Sequence, residues 1–182
     1  MKNFTLIFCA ILAVAVSSCK DNPKQTEPEV VTVDNTENVV ETYELAQKEA
    51  EFNDPKVEAI FEQYLLVEAA LVNTDATTTA SEASKLELLL KEANADEASQ
   101  NAATAMAGSN DIKMQRENFE PLSLGLEKML QGTLKEGMLY KQFCPMAFNN
   151  KGAYWISSSR DILNPYFGDK MLKCGRVDAE IK

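Results

Sequence analysis

Two of the chain's four cysteines bound one C-terminal segment, and each has a methionine nearby. Cys144 and Met146 stand two apart around Pro145, and Met171 and Cys174 stand three apart. Soft thiolate and thioether sulfurs select Cu(I), or its analogue Ag(I), over harder ions. Zinc fits less well, because its structural sites take four Cys or His ligands and the sequence contains no histidine. A four-thiolate iron–sulfur cluster lacks its ligands as well. At the end of a strand residues 144 and 146 point to one face, and in a helical turn so do residues 171 and 174, bracketed by Gly168 and Gly175. The same two thiols equally suit a Cys144–Cys174 disulfide, which would close a loop of about 30 residues and contribute on the order of 3 to 4 kcal/mol in the chain-entropy account. Met146 and Met171 would then be core filler. The two readings are compatible as redox forms of one site, since a disulfide cannot coordinate as a dithiolate. Trp155 can stack on a bound cation or serve as a hairpin core aromatic, and Tyr166 and Phe167 can cover the sulfurs or fill the core.

The other two cysteines belong to the start of the chain. Lys2 precedes an apolar run from Phe4 to Val16, too short for a permanent membrane span of about 20 residues and placed as a signal peptide would be. Val16-Ser17-Ser18-Cys19 resembles the lipobox of bacterial lipoproteins, in which the cysteine is acylated and becomes the first residue of the mature chain. Residues 1–18 are accordingly expected to be removed together with Cys9, and Cys19 is expected to carry a lipid anchor. An extracytoplasmic location favours disulfides for any thiols that remain.

Other chemistry is thin. Without histidine, Ser-His-Asp and Cys-His catalysis are excluded. There is no Gly-rich phosphate loop or dinucleotide fingerprint, and nothing places two carboxylates across a cleft. No enzymatic activity is expected. The formal charge of −10 and the lack of a Lys/Arg cluster make nucleic acid an unlikely partner.

The elements that must position the sulfurs follow from periodicity and punctuation. Residues 19–53, rich in Glu, Thr, Asn, Pro and Val, read as a lipidated N-terminus and tether, with a helix allowed near Val39 to Phe52. A single domain is expected over 54–182. Asp54-Pro55 opens a first helix, with Val57, Ile60, Phe61, Tyr64, Leu65, Leu71 and Val72 on one face. A second helix is predicted from about Thr78 to Asn94 and a third from about Asp96 to Ala107. A fourth begins near Asp111, with Pro121 kinking it or lying near a bend. Met138 to Phe143 and Ala153 to Ser157 predict a hairpin with its turn at Asn149-Asn150-Lys151-Gly152, and Arg176 to Ile181 allows a last strand. The expected fold is mainly α, an antiparallel four-helix bundle with a small C-terminal β-hairpin and turn cap over 136–182.

"QFCPMAFNNKGAYWISS" and the later "NPYFGDKMLKCG" resemble the C-terminal signature of the domain-of-unknown-function family 3347, with "MQRENFEPLS" as an anchor in the helices. That family occurs in small lipoproteins of Gram-negative bacteria and fused to periplasmic adaptor subunits of copper- and silver-type efflux pumps. The resemblance runs from about Asp54 to Ile181 and is closest from Gln142 to Gly175. It maps the family's Cys-Pro-Met onto Cys144, Pro145 and Met146, and its Met-Leu-x-Cys-Gly onto Met171, Leu172, Cys174 and Gly175. It implies a helical bundle with a Cys/Met-bearing cap and a role in envelope metal handling. Cys-Pro-Met is also similar to a short heavy-metal motif of related adaptors, but a histidine follows there and Ala147 follows here. The function expected is a cell-envelope lipoprotein, periplasmic or at the outer membrane, that binds Cu(I) through Cys144, Met146, Met171 and Cys174 for buffering or for delivery to an efflux system. The alternative is an interaction module stapled by a Cys144–Cys174 disulfide and docked on an envelope protein.

Overall fold

Four aspartates start four helices. Asp54, Asp75, Asp96 and Asp111 each accept a hydrogen bond from a backbone N–H in the first turn, opening α1 (Pro55–Val72), α2 (Ala76–Glu92), α3 (Glu97–Ala107) and α4 (Ile112–Leu130). Each such cap stabilises a helix by about 1 kcal/mol. Asp75 explains why α2 begins at Ala76 rather than at Thr78, where the sequence periodicity starts it. Thr74 and Asn94, both left-handed, end α1 and α2, and the amides that follow reach back to the Ala70 and Leu90 carbonyls. This arrangement satisfies carbonyls that a helix end would otherwise leave without partners.

The computed structural model describes residues 42–44 and 50–182. The expected signal peptide, the lipobox-like stretch with Cys19 and most of the expected tether lie outside the described residues. All described residues fall within one compact unit, Val40–Lys182. Asp54 is not its first packed position. Ala50 and Phe52 are buried in the core, and Glu51–Phe52 forms β1, a short strand antiparallel to β2 (Leu134–Glu136). The helix allowed near Phe52 is therefore a strand at residues 51–52. With one large apolar residue between Glu51 and Asn53, this stretch has no periodicity of its own, and only a distant strand determines its form.

Consecutive helices pack on one another, and α4 also meets α1. Their inward residues, among them Ile60, Phe61, Leu71, Leu86, Leu90, Met106, Phe119, Leu122 and Leu130, are almost fully buried. Gly125 allows the close approach of α3 to α4, because a Cβ there would sit 1.8 Å from the Ser99 hydroxyl. Helix α4 runs continuously through Pro121. Proline removes a backbone donor and crowds the preceding turn, but Phe119 and Leu122 on either side are buried and hold the helix in place.

The remaining chain forms a small antiparallel sheet in the order β4-β3-β5, from β3 (Leu139–Cys144), β4 (Ala153–Ser157) and β5 (Arg176–Ile181). Cys144 pairs with Ala153 and Gln142 with Trp155, and on the other side Phe143 pairs with Arg176. The chain as described is thus mainly helical, with small antiparallel sheets. The free edge of β4 is closed by two tyrosines. The Ile156 amide donates to the Tyr64 hydroxyl at 3.1 Å, and the Tyr166 hydroxyl donates to the Tyr154 carbonyl. Because the Ser123 hydroxyl gives its hydrogen to the Phe119 carbonyl at 2.7 Å, Tyr64 must donate to Ser123, also at 2.7 Å. One chain of hydrogen bonds thereby joins β4, α1 and α4.

Candidate functional site

Cys144 is the last residue of β3 and is fully buried, whereas Cys174 lies two residues before β5 and is half-buried. Their sulfurs are 3.5 Å apart and both thiols are free. This separation exceeds an S–S bond of about 2.05 Å but lies within the reach of one shared proton. The two cysteines, 30 positions apart in the chain, therefore meet. Burial pushes the Cys174 thiol above its ordinary pKa and the neighbouring Cys144 raises it further, while the Met146 backbone amide opposes the shift. Such a thiol is a poor thiolate nucleophile at neutral pH, because reactive cysteines have lowered pKa values. A cation shared between the two sulfurs would favour the deprotonated forms.

Met146 is placed differently from the sequence expectation, whereas the turn expected from Met171 to Cys174 is present. Strand β3 stops at Cys144, and after Pro145 the backbone of Met146 turns into the helical region at φ −91°. Met146 therefore does not share the buried face of Cys144. Its side chain is 46% exposed, at a groove also lined by Phe148, Phe167 and Arg116. The fault in the expectation was to extend the strand's alternation past proline. Met171 closes a 3-10 turn (Gly168–Met171) and is half-buried, and its carbonyl accepts from the Cys174 amide at 3.0 Å. Among the described residues, no three His, Cys, Asp or Glu side chains form a group able to hold a metal. Any ion at the thiol pair would need thioethers or other donors to complete its coordination.

The surroundings hold the pair tightly. Trp155 is fully buried and meets the Tyr166 ring edge-on at 6.0 Å, so it is a core aromatic. Gly175 is required beside it, because a Cβ would lie 2.9 Å from the Trp155 ring and 3.2 Å from the Phe143 carbonyl. Tyr166 joins the core, whereas Phe167 is half-buried at the groove. Between β3 and β4, Phe148, Asn149 and Asn150 are all left-handed, at φ 50°, 58° and 65°. That conformation costs roughly 1–2 kcal/mol per residue for L-amino acids. The Gly152 amide closes this turn onto the Ala147 carbonyl at 3.0 Å, and the Phe148 ring stands edge-on to Tyr166 at 5.4 Å.

Sequence reasoning did not single out four residues that build this region. Gln115 donates from α4 to the Ala76 and Ser109 carbonyls. Arg116 donates to the Leu71 carbonyl at the end of α1 and to the Pro165 carbonyl. The "MQRENF" stretch is thus a set of clamps. Asn164, fully buried, organises the loop that carries Cys174. Glu68 is buried on α1, and its place four after Tyr64 and three before Leu71 marks it as an inward carboxyl.

Residues 60–136 match the family model described as protein of unknown function (DUF3347). No curated protein and no solved structure matches the chain. The DUF3347 match runs from α1 to β2 and ends before Cys144. The sulfur pair therefore lies outside the matched span, although the resemblance from Gln142 to Gly175 is the part that suggested the family. Within that span lie Gln115 and Arg116, which tie α4 to the start of α2, to the turn after α3, to the end of α1 and to the loop holding Cys174.

Proposed function

We propose that this chain is a lipid-anchored cell-envelope protein that binds Cu(I), with Ag(I) as its analogue, for buffering or for delivery to an efflux system. In this reading the helices form an antiparallel four-helix bundle that supports the sulfur-bearing cap, and Cys19 attaches the chain to the membrane. The observation that carries it is the approach of two free thiols to 3.5 Å, one wholly buried, in a segment that also holds Met146 and Met171. Two thiolates so close repel each other, and a soft monovalent cation offsets that repulsion while matching sulfur in preference. Binding would release thiol protons and so would strengthen as pH rises. The half-exposed Met146 is the thioether an incoming ion would meet first. No catalytic step is part of this function.

The test uses the full-length chain carrying Cys9→Ser and Cys19→Ser, reduced under anaerobic conditions and titrated with Cu(I) against a chromophoric chelator. Stoichiometric binding that disappears in the further Cys144→Ser, Cys174→Ser variant is the expected result. A reduced protein that cannot compete with the chelator would end the copper reading. The same short separation favours a second reading, an interaction module stapled by a Cys144–Cys174 disulfide. Partner binding that survives removal of both cysteines would support that alternative.

A further inference from the structure

We propose that Asn164 is the positioning residue of the thiol pair, holding Cys174 against Cys144 and thereby setting both the pair's readiness to close into a disulfide and its fit to a soft ion. The proposal rests on Cys144 and Cys174 being the working pair of the site, but it does not depend on copper.

Strand pairing alone brings the cysteines only near each other. The last pairing between β3 and β5 joins Phe143 to Arg176, so Cys144 ends one strand while Cys174 precedes the other by two residues. Beyond that pairing, the hydrogen bonds that fix the Cys174 backbone are two. Its amide donates to the Met171 carbonyl at 3.0 Å, and its carbonyl accepts from the Asn164 side chain at 2.6 Å. The first is internal to the turn and moves with it. The second ties the turn to a fully buried side chain.

Asn164 is itself held on every side. Its side-chain oxygen accepts from the Tyr166 and Phe167 amides at 2.8 and 3.2 Å, its backbone N–H donates to the Leu172 carbonyl at 2.9 Å, and its backbone carbonyl accepts from the Gly168 amide at 2.9 Å. Tyr166 in turn reaches β4 through its hydroxyl, and the Pro165 carbonyl is gripped by Arg116 of α4. Besides the Phe143–Arg176 pairing and the Met146 amide at the Cys174 sulfur, the position of Cys174 is thus referred to the sheet and the helices through this amide side chain. An amide has both the acceptor lone pairs and the N–H donors this requires, whereas a carboxylate accepts only.

Replacing Asn164 by Asp keeps the acceptor for Tyr166 and Phe167 but sets an oxygen against the Cys174 carbonyl. Replacing it by Ala removes all the side-chain bonds. The experiment equilibrates the full-length chain, with Cys9→Ser and Cys19→Ser, against oxidised and reduced dithiothreitol. When the pair closes, two S–H bonds break and one S–S bond forms, and the two electrons and two protons pass to the oxidised dithiothreitol, opening its disulfide. Asn164→Asp and Asn164→Ala are each expected to shift this equilibrium at least tenfold toward the dithiol, a potential about 30 mV more oxidising. Leu86→Ala, in the buried face of α2, serves as a control for general loss of stability and is expected to leave the equilibrium unchanged.

An Asp variant with the wild-type equilibrium would overturn the proposal, as would an equal shift in Leu86→Ala. So would loss of the native fold on the Asp substitution, because Asn164 would then be a structural keystone rather than a local positioner. A wild-type pair that never closes would show that the sulfurs are not held together and would overturn it as well. Failure to bind Cu(I) with the Asn164 shift intact would remove the copper reading alone.

Discussion

Glu68 is a carboxyl in the wrong medium. It is 6% exposed, beside Ser157 and close to the indole of Trp155, whose N–H is buried without meeting hydrogen-bond geometry. Burial raises its pKa well above the ordinary value, with the contacts to Trp155 and Ser157 opposing the shift only in part. The consequence for stability has a definite sign. Below the unfolded-chain pKa of about 4.3 the group is protonated in both states and costs nothing. Above it the unfolded chain releases its proton first, so the folded state loses stability as pH rises toward the raised folded value, by up to about 1.4 kcal/mol per pH unit. Urea unfolding of the wild type between pH 5 and 8 is therefore expected to slope downward, and Glu68→Gln to flatten that slope. Parallel slopes would show that the carboxyl does not titrate across this window. The thiol pair is read at the same scale: a soft-sulfur preference is a property of residue type, but the 3.5 Å separation on which any use depends is not.

At the scale of elements, the edge of β4 is the decisive feature. Exposed strand edges carry unpaired backbone groups, which proteins cover or block. Here α1 covers the edge through Tyr64 and the loop after β4 covers it through Tyr166. Tyr64→Phe leaves the buried Ile156 amide without its acceptor and is expected to cost about 1–3 kcal/mol. The measurement is a lowered urea midpoint with an unchanged slope, and an unmoved midpoint would mean that another group satisfies the edge. The helices themselves were legible in the chain. Asp54, Asp96 and Asp111 announced their starts, and three-and-four spacing marked their inward faces, because caps and periodicity act within a few residues. Strands β3, β4 and β5 were legible for the same reason, as they lie where alternation placed them, whereas β1 and β2 were not expected. What failed was the step beyond Cys144, where Pro145 ends the alternation and turns Met146 outward.

Across the whole molecule, a file of aromatic rings runs from the N-terminal strand to the sulfur-bearing cap. Phe52, Phe61, Tyr64, Phe119, Tyr166 and Trp155 follow at centroid distances between 4.9 and 6.3 Å. Phe52 is its first member, although it lies in the stretch that reads as tether. Phe52→Ala is expected to cost about 3 kcal/mol, as for other buried phenylalanines, and a chain begun at Asp54 is expected to lose at least as much. Thermal or urea unfolding of the two against the full-length chain checks this. Equal stabilities would mean that residues 50–53 merely rest on the domain.

The sequence by itself determined the helices, the hairpin and the last strand, because each is encoded in residue type or in spacing of a few positions. Only the tertiary structure decided that Cys144 and Cys174 meet, that Met146 leaves the buried strand face and is half exposed, and that Asn164, Glu68, Gln115 and Arg116 make the contacts they do. Those outcomes depend on partners far apart in the chain, such as Tyr64 with Ile156 or Arg116 with Pro165. Local pattern carries no record of such pairs. They form only when burial of the shared core brings their backbones to hydrogen-bonding distance.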